Sequence, residues 1–323
     1  MGKLAVVIGG SGFVGRHVVR ELARHGWRVR VGVRRPHLAT HLKPMGVVGQ
    51  IQLAQVNIRH RQSIDAALAG ADAVINCVGI LFQAGSQKFE SIQADGAENI
   101  AAACAEAGIT NLVHVSAIGA DAQSKSLYAR SKADGESRMR NHVPDAVIMR
   151  PSIVFGPEDD FFNRFAAMTR IAPALPLIGG GKTRFQPVYV DDVADAICAV
   201  LEAGTFKGTT FELGGPQIYT FRALMELMLR EIGVRRALVP LPFSIAALMG
   251  LGGQMMGALP FLDPFLTRDQ VRLLKKDNVV TQDDPAIATL ETLCITPTSV
   301  EAILPSYMVQ YRKHGQFTED QAA

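Results

Sequence analysis

The sequence predicts a doubly wound α/β fold, a parallel sheet covered on both faces by helices, with a smaller C-terminal lobe. Three observations predict it. Short apolar, β-branched runs alternate with helix-spaced segments through the first half of the chain, the pattern of repeated strand–helix–strand crossovers. A glycine-rich turn joins the first run directly to the first helical segment. Past Met149 the alternation gives way to a stretch rich in glycine and proline, which marks a second region.

In chain order, Lys3–Ile8 is the first apolar run, ended by Gly9-Gly10. Phe13–His25 then carries Phe13, Val14, His17, Val18 and Leu22 at helical spacing. Arg28–Val33 alternates like a strand, and Ile51–Val56, Ala73–Val78, Leu112–Ser116 and Ala146–Met149 are further apolar or β-branched runs. Between them Ser63–Leu68, Phe89–Ala107 and Leu127–Asn141 suit helices. One more strand–helix pair is expected near Gln186–Val190 and Val193–Glu202, then a strand at Thr209–Leu213. The expected organisation is a dinucleotide-binding domain over 1–155, with 186–203 returning to it. A smaller lobe spans 156–185 and 204–311, and 312–323 form a polar, frayed tail. No targeting leader is read before the apolar run at Leu4, and no internal repeat is seen.

Composition narrows the function classes. With 323 residues, 48% hydrophobic and 20% charged, the chain is no disordered or low-complexity protein. A chain of this size buries roughly 75% of its unfolded surface. A net charge of +3 and 7% aromatics give neither an electrostatic footprint nor a stacking platform for nucleic acid. Cys77, Cys104, Cys198 and Cys294 are scattered, without CxxC or Cys/His pairing. They read as reduced, mostly buried thiols of a cytosolic-type compartment, with no metal site. From Ala237 to Leu262 no residue is charged, long enough to cross a bilayer. Pro240, Pro242, Gly250, Gly252, Gly253, Gly257 and Pro260 nevertheless cut it into pieces shorter than the ~20 residues a spanning helix needs. A buried helix of the lobe and a helix lying on a membrane or partner protein both stay open for 237–262.

The turn Gly9-Gly10-Ser11-Gly12-Phe13-Val14-Gly15 carries the first chemistry. Gly9 lets the chain leave the strand sharply, Gly12 has no Cβ to hold a diphosphate away from backbone N–H groups, and Gly15 allows close helix–sheet packing. The phosphates would sit at a helix N-terminus, where open donors and the dipole favour an anion. Roughly 20 residues past such a turn, NAD binders carry an acid for the ribose hydroxyls. Arg34-Arg35 stand there instead; a guanidinium accepts no hydrogen bond but pairs with a 2′-phosphate, which favours NADP(H), in practice NADPH, over NAD. Asn57 and Ile58 after the third strand, Val78 at the end of the fourth with Gly79 just beyond it, and Pro151 after the sixth complete the candidate cofactor contacts. Arg59-His60-Arg61 reads as solvated charge.

Tyr128-Ala-Arg-Ser-Lys132 lies in the predicted helix Leu127–Asn141, so phenol and ammonium share a face. A free tyrosine has a pKa of about 10, and a nearby ammonium is expected to bring it down towards the working range. Lys132 could also donate to a nicotinamide ribose.

The Gly9–Gly15 turn and Tyr128-x-x-x-Lys132 resemble the short-chain dehydrogenase/reductase superfamily, which has the NAD(P)-binding Rossmann fold. Arg150-Pro-Ser-Ile-Val-Phe-Gly-Pro157 and Val188-Tyr-Val-Asp-Asp-Val-Ala194 resemble its extended and atypical members, the nucleotide-sugar epimerases and their relatives. The resemblance implies that Tyr128 is the acid/base group and that Lys132 tunes it while holding the cofactor ribose. Tyr128–Glu136, Phe155–Phe161, Gly214–Thr220, Leu266–Val271 and Lys276–Val280 are similar to one atypical branch. That branch is the NADPH-binding Rossmann accessory subunit of respiratory complex I and its bacterial relatives. It implies a tightly held structural NADPH and docking to peripheral-arm subunits. The implied location is peripheral, on the cytoplasmic face of a bacterial inner membrane or the equivalent matrix side. One departure stands out. Active extended members place a catalytic Ser or Thr just past the fifth strand; here Ser116 comes one or two positions early, and Ala117 and Ile118 have no hydroxyl. Ser124 and Ser126 are the neighbouring hydroxyls. Alongside a structural subunit stands the alternative of an active NADP-dependent oxidoreductase or epimerase using Tyr128 and Lys132. A nucleotide-sensing regulator has no residue pattern in its favour.

Overall fold

The computed structural model describes residues 2–256, 266–282, 284–313 and 315. Its first half runs β1 (Leu4–Ile8), α1 (Phe13–Arg24), β2 (Arg28–Val33), β3 (Ile51–Gln55), α2 (Arg61–Leu68), β4 (Ala73–Asn76), α3 (Asp95–Glu106), β5 (Leu112–Val115), α4 (Leu127–His142) and β6 (Val147–Pro151). There follow β7 (Val154–Phe155), α5 (Phe162–Met168), β8 (Ala174–Ile178), β9 (Arg184–Phe185), β10 (Val188–Tyr189), α6 (Val190–Ala203) and β11 (Thr210–Leu213). The chain ends through β12 (Tyr219–Thr220), α7 (Phe221–Glu231), β13 (Ala237–Leu241), α8 (Phe243–Met256), α9 (Arg268–Leu273), β14 (Ile287–Ala288) and α10 (Val300–Met308).

Eight strands form one parallel sheet in the order β14-β11-β6-β5-β4-β1-β2-β3. The two-residue alternation of each strand divides the core. Ala5, Val7, Val29, Val31 and Ile75 pack with Val18 and Leu22 of α1 and Val193 and Ile197 of α6. Val6, Ile8 and Val74 face the other way, onto Ile64 of α2, Ile100 of α3 and Met139 of α4. Both faces are therefore apolar, as a sheet covered on both sides requires. Because β1 pairs with β2 on one side and β4 on the other, the chain reverses direction across the sheet there, and a crevice opens at the strands' C-terminal ends.

Several elements depart from expectation. The segment expected as one helix over Phe89–Ala107 begins with a wide π turn, Glu90–Ala94, before α3. Gln186–Val190 does not join the large sheet: β10 pairs with β7 in a two-stranded ribbon. Conversely, the region 204–311, expected in the smaller lobe, supplies β11 and β14 to the large sheet. The reason is packing. Phe211 and Leu213 are fully buried in the same core as α6, and the crossover through α6 returns the chain beside β6. The lobe has its own core, in which Phe155, Phe162, Phe185, Phe221, Leu224 and Leu304 meet.

The uncharged span 237–262 breaks at Pro242 into β13, which pairs with β8, and α8. Among the described residues no helix is long and apolar enough to cross a membrane. Residues 257–262 lie outside the described residues, as do most of 312–323.

Candidate functional site

The glycine turn joins β1 to α1 at the C-terminal edge of the sheet. Gly9 has φ +83°, and its N–H donates to the Gly32 carbonyl (2.9 Å), pinning the turn to β2. A Cβ on Gly15 would lie 2.4 Å from the Gly9 carbonyl, so only glycine lets α1 start this close to the strand. Gly12 is the N-cap and offers no side-chain cap to the helix donors. Arg16 braces the turn by donating to the Ser11 (3.2 Å) and Gly12 (3.3 Å) carbonyls, a role its sequence position did not announce. Phe13 stands edge-on to His17, and Val14 packs into the core beneath.

The other candidates arrive at the same rim because each follows the C-terminal end of a parallel strand. Arg34 and Arg35 stand exposed at the end of β2. Val78 follows β4 and lies against the turn, its Cγ2 2.9 Å from where a Gly9 Cβ would be. Gly79 is exposed and faces Lys132, whose Nζ is 3.3 Å from a Cβ built on it. Asn57 caps its own loop by accepting from the Arg59 amide (3.2 Å). The Ile58 side chain points into the core, leaving its backbone at the rim, where its carbonyl accepts from Asn99 (3.0 Å). Pro151, buried at the end of β6, accepts from the Ile118 amide (3.0 Å).

Tyr128 and Lys132 share a face of α4, with Lys132 Nζ 6.0 Å from the tyrosine ring centre. The electrostatics run opposite to the expected activation. Burial pushes the Tyr128 phenol up to about 12, with the Phe89 ring edge-on at 5.8 Å. Lys132 does not offset this, because its ammonium turns to the Val115 carbonyl (3.1 Å) and burial lowers its own pKa from 10.5 to about 8. Beneath it, His114 is held neutral, its pKa driven down to about 3 by burial and then by Lys132, and it bonds Asn76 (3.0 Å). The predicted pair is thus brought together, but with the phenol's pKa raised by burial and not lowered by the ammonium.

The hydroxyls divide clearly. Ser116 sits directly after β5, buried, and its Oγ has no hydrogen-bond partner among the described residues. Ser124 and Ser126 are already committed: Ser124 Oγ accepts from the Ser126 amide (3.2 Å), and Ser126 caps α4 and donates to Asp269 (2.7 Å). A glycine turn that leaves helix donors open and an orphaned buried hydroxyl fit a dinucleotide. Asp269, which arrives from α9 by tertiary contact, is, with Arg16, a site-supporting residue that sequence spacing missed. Among the described residues no group of His, Cys, Asp and Glu could hold a metal ion.

The profile of the NAD dependent epimerase/dehydratase family matches residues 5–214. The chain is 37% identical over 321 residues to "NADH dehydrogenase [ubiquinone] 1 alpha subcomplex subunit 9, mitochondrial" of Arabidopsis thaliana, covering 97% of this chain and 79% of that one. The Mus musculus protein of the same name is 35% identical over 302 residues, covering 93% and 78%. Among solved structures, UDP-glucose 4-epimerase from Thermotoga maritima superposes with a TM-score of 0.66 at 18% identity, covering 95% of this chain and 98% of that one.

Proposed function

The chain belongs to the NAD dependent epimerase/dehydratase family, and from that premise we propose that it is an NADP(H)-holding accessory subunit of respiratory complex I (NADH:ubiquinone oxidoreductase). One observation carries the reading. The family profile stops at residue 214, whereas similarity to the complex I subunit covers 97% of the chain and so includes the lobe that a partner would meet.

In this reading Gly9, Ser11, Gly12, Phe13, Val14 and Gly15 cradle the diphosphate, and Arg34 and Arg35 pair with the 2′-phosphate. Asn57, Ile58, Val78, Gly79 and Pro151 line the crevice, and Tyr128 and Lys132 hold the nicotinamide ribose. A bound nicotinamide would supply hydride chemistry. Two features favour holding over turnover: Ser124 and Ser126 are spent on the helix start, and Ser116 is buried directly after β5. Ile245, Leu248, Met249 and Leu251 leave α8 with an exposed apolar face, which supports peripheral docking at the foot of the complex, on the cytoplasmic face of a bacterial inner membrane or the equivalent matrix side. Native extraction should recover the protein in a large membrane-bound assembly, with reduced nicotinamide absorbance surviving dialysis, and Tyr128→Phe should leave respiration nearly unchanged. Recovery only as free protein would sink the proposal.

A second reading, turnover as an NADP-dependent oxidoreductase or epimerase, is favoured by the shared face of Tyr128 and Lys132. Oxidation of bound NADPH by a ketone or nucleotide sugar, abolished in Tyr128→Phe, would establish it instead.

A further inference from the structure

The carboxylate of Asp269 sits on the first turn of α4. Its Oδ2 accepts from the Ser126 hydroxyl (2.7 Å) and the Tyr128 amide (3.0 Å), and its Oδ1 accepts from the Leu127 amide (2.8 Å). A negative charge at a helix N-terminus is favoured by the dipole and satisfies donors that the helix leaves open. Two further straps fix the same loop: Arg272 donates to the Lys125 carbonyl (3.2 Å), and Lys276 pairs with Asp121 (3.2 Å). On its other side α9 is the seat of α8. Ala246 is fully buried against Leu266 and Val271, and a Cβ on Gly250 would come within 2.8 Å of the Arg268 nitrogen and 2.9 Å of the Thr267 carbonyl carbon. The helix with the exposed apolar face therefore bears on the backbone immediately before Asp269, and Asp269 bears on the backbone of Tyr128.

We propose that Asp269 is a positioning residue for the Tyr128–Lys132 pair, and that through it α8 and the nicotinamide end of the nucleotide crevice are thermodynamically linked. The proposal rests on the nucleotide-holding reading and deepens it. Without the carboxylate, Leu127 and Tyr128 lose their acceptors and the first turn of α4 loosens. Lys132, one turn deeper on the Val115 carbonyl, stays in place. The defect is local to the nicotinamide side; the glycine turn and the arginines lie on other elements. Linkage is reciprocal, so nucleotide bound at that end must also steady α8.

The test compares two ligands on the full chain. NADPH reaches Tyr128, whereas adenosine 2′,5′-bisphosphate reaches the arginines and the glycine turn but not Tyr128. In Asp269→Ala the NADPH Kd should rise roughly fivefold to tenfold, the scale of a lost helix cap, while the bisphosphate Kd stays the same. Asp269→Asn, which keeps one acceptor oxygen, should fall between. NADPH should slow amide hydrogen exchange over residues 243–252 in the unsubstituted protein and not in Asp269→Ala. Equal losses for both ligands, no loss for either, or unchanged protection of α8 would overturn the proposal. Should Asp269→Ala not fold, Gly250→Ala presses on the Arg268 amide with the carboxylate intact and must show the same selective loss. An unsubstituted protein that binds neither ligand would fail the nucleotide reading itself, a distinct outcome.

Discussion

Arg34 and Arg35 stand side by side, exposed, where an acid would select the unphosphorylated ribose. Arg34→Asp with Arg35→Ser should weaken NADPH binding far more than NADH binding, by at least tenfold or so if each guanidinium makes a charge-assisted bond. Calorimetry with both nucleotides decides it, and equal losses would remove the arginines from the site. Lys132 offers a pH signature. Its pKa falls from 10.5 in the unfolded chain to about 8 when folded, so between those values the unfolded chain binds more protons and stability rises with pH. Denaturant midpoints for Lys132→Met should lack that rise, and below about pH 8 the variant should gain relative to the parent, since a buried ammonium no longer has to be carried. Tyr128, Lys132 and the glycines were legible as residues because their chemistry depends on spacing along one turn or one helix. The upward shift of the phenol's pKa was not, because it comes from burial, with the Phe89 ring against it and Lys132 turned to the Val115 carbonyl.

At the scale of elements, α4 is held from three directions. Asp269 caps its start, α3 packs along one side, and Glu136 pairs with Arg150 of β6 through two bonds of 3.0 and 2.6 Å. Glu136 is buried, so Glu136→Ala leaves Arg150 without its main partner and should cost about 3–5 kcal/mol, measured as a fall in denaturant midpoint. A loss below about 1 kcal/mol would mean that Glu212, 3.8 Å from Arg150, takes over. The helix α8 combines a buried Ala246 with exposed Ile245, Leu248, Met249 and Leu251. Leu248→Lys with Met249→Lys should leave folding and nucleotide binding intact while the protein drops out of the membrane-bound assembly on native gels. Retention in the assembly would place docking elsewhere. Strand and helix positions in the first half were readable to within a residue or two, since each carries its own period. The π turn at Glu90–Ala94 was not, because no local signal distinguishes it from the helix it opens.

At the scale of the whole molecule, the crevice is made from six strand ends that are distant in sequence. Any ligand held there ties β1, β2, β4 and α4 together and must stabilise the fold as a unit. At a hundredfold excess over Kd, NADPH should add about 2.7 kcal/mol to the unfolding free energy, seen as a concentration-dependent rise in Tm. A Tm indifferent to NADPH at millimolar concentration would empty the crevice of its proposed occupant.

By itself the sequence determined the parallel sheet, the glycine turn at its first strand and the tyrosine–lysine face, because each is written in a repeat of two or four residues or in a glycine that nothing larger could replace. Tertiary structure alone decided that β11 and β14 extend that sheet, that Ser124 and Ser126 serve the helix start, that the phenol's pKa is raised and that Asp269 joins α8 to the site. Those outcomes depend on which surfaces meet between segments that are apart in the chain, and neither burial nor a distant hydrogen-bond partner leaves a local periodicity to read.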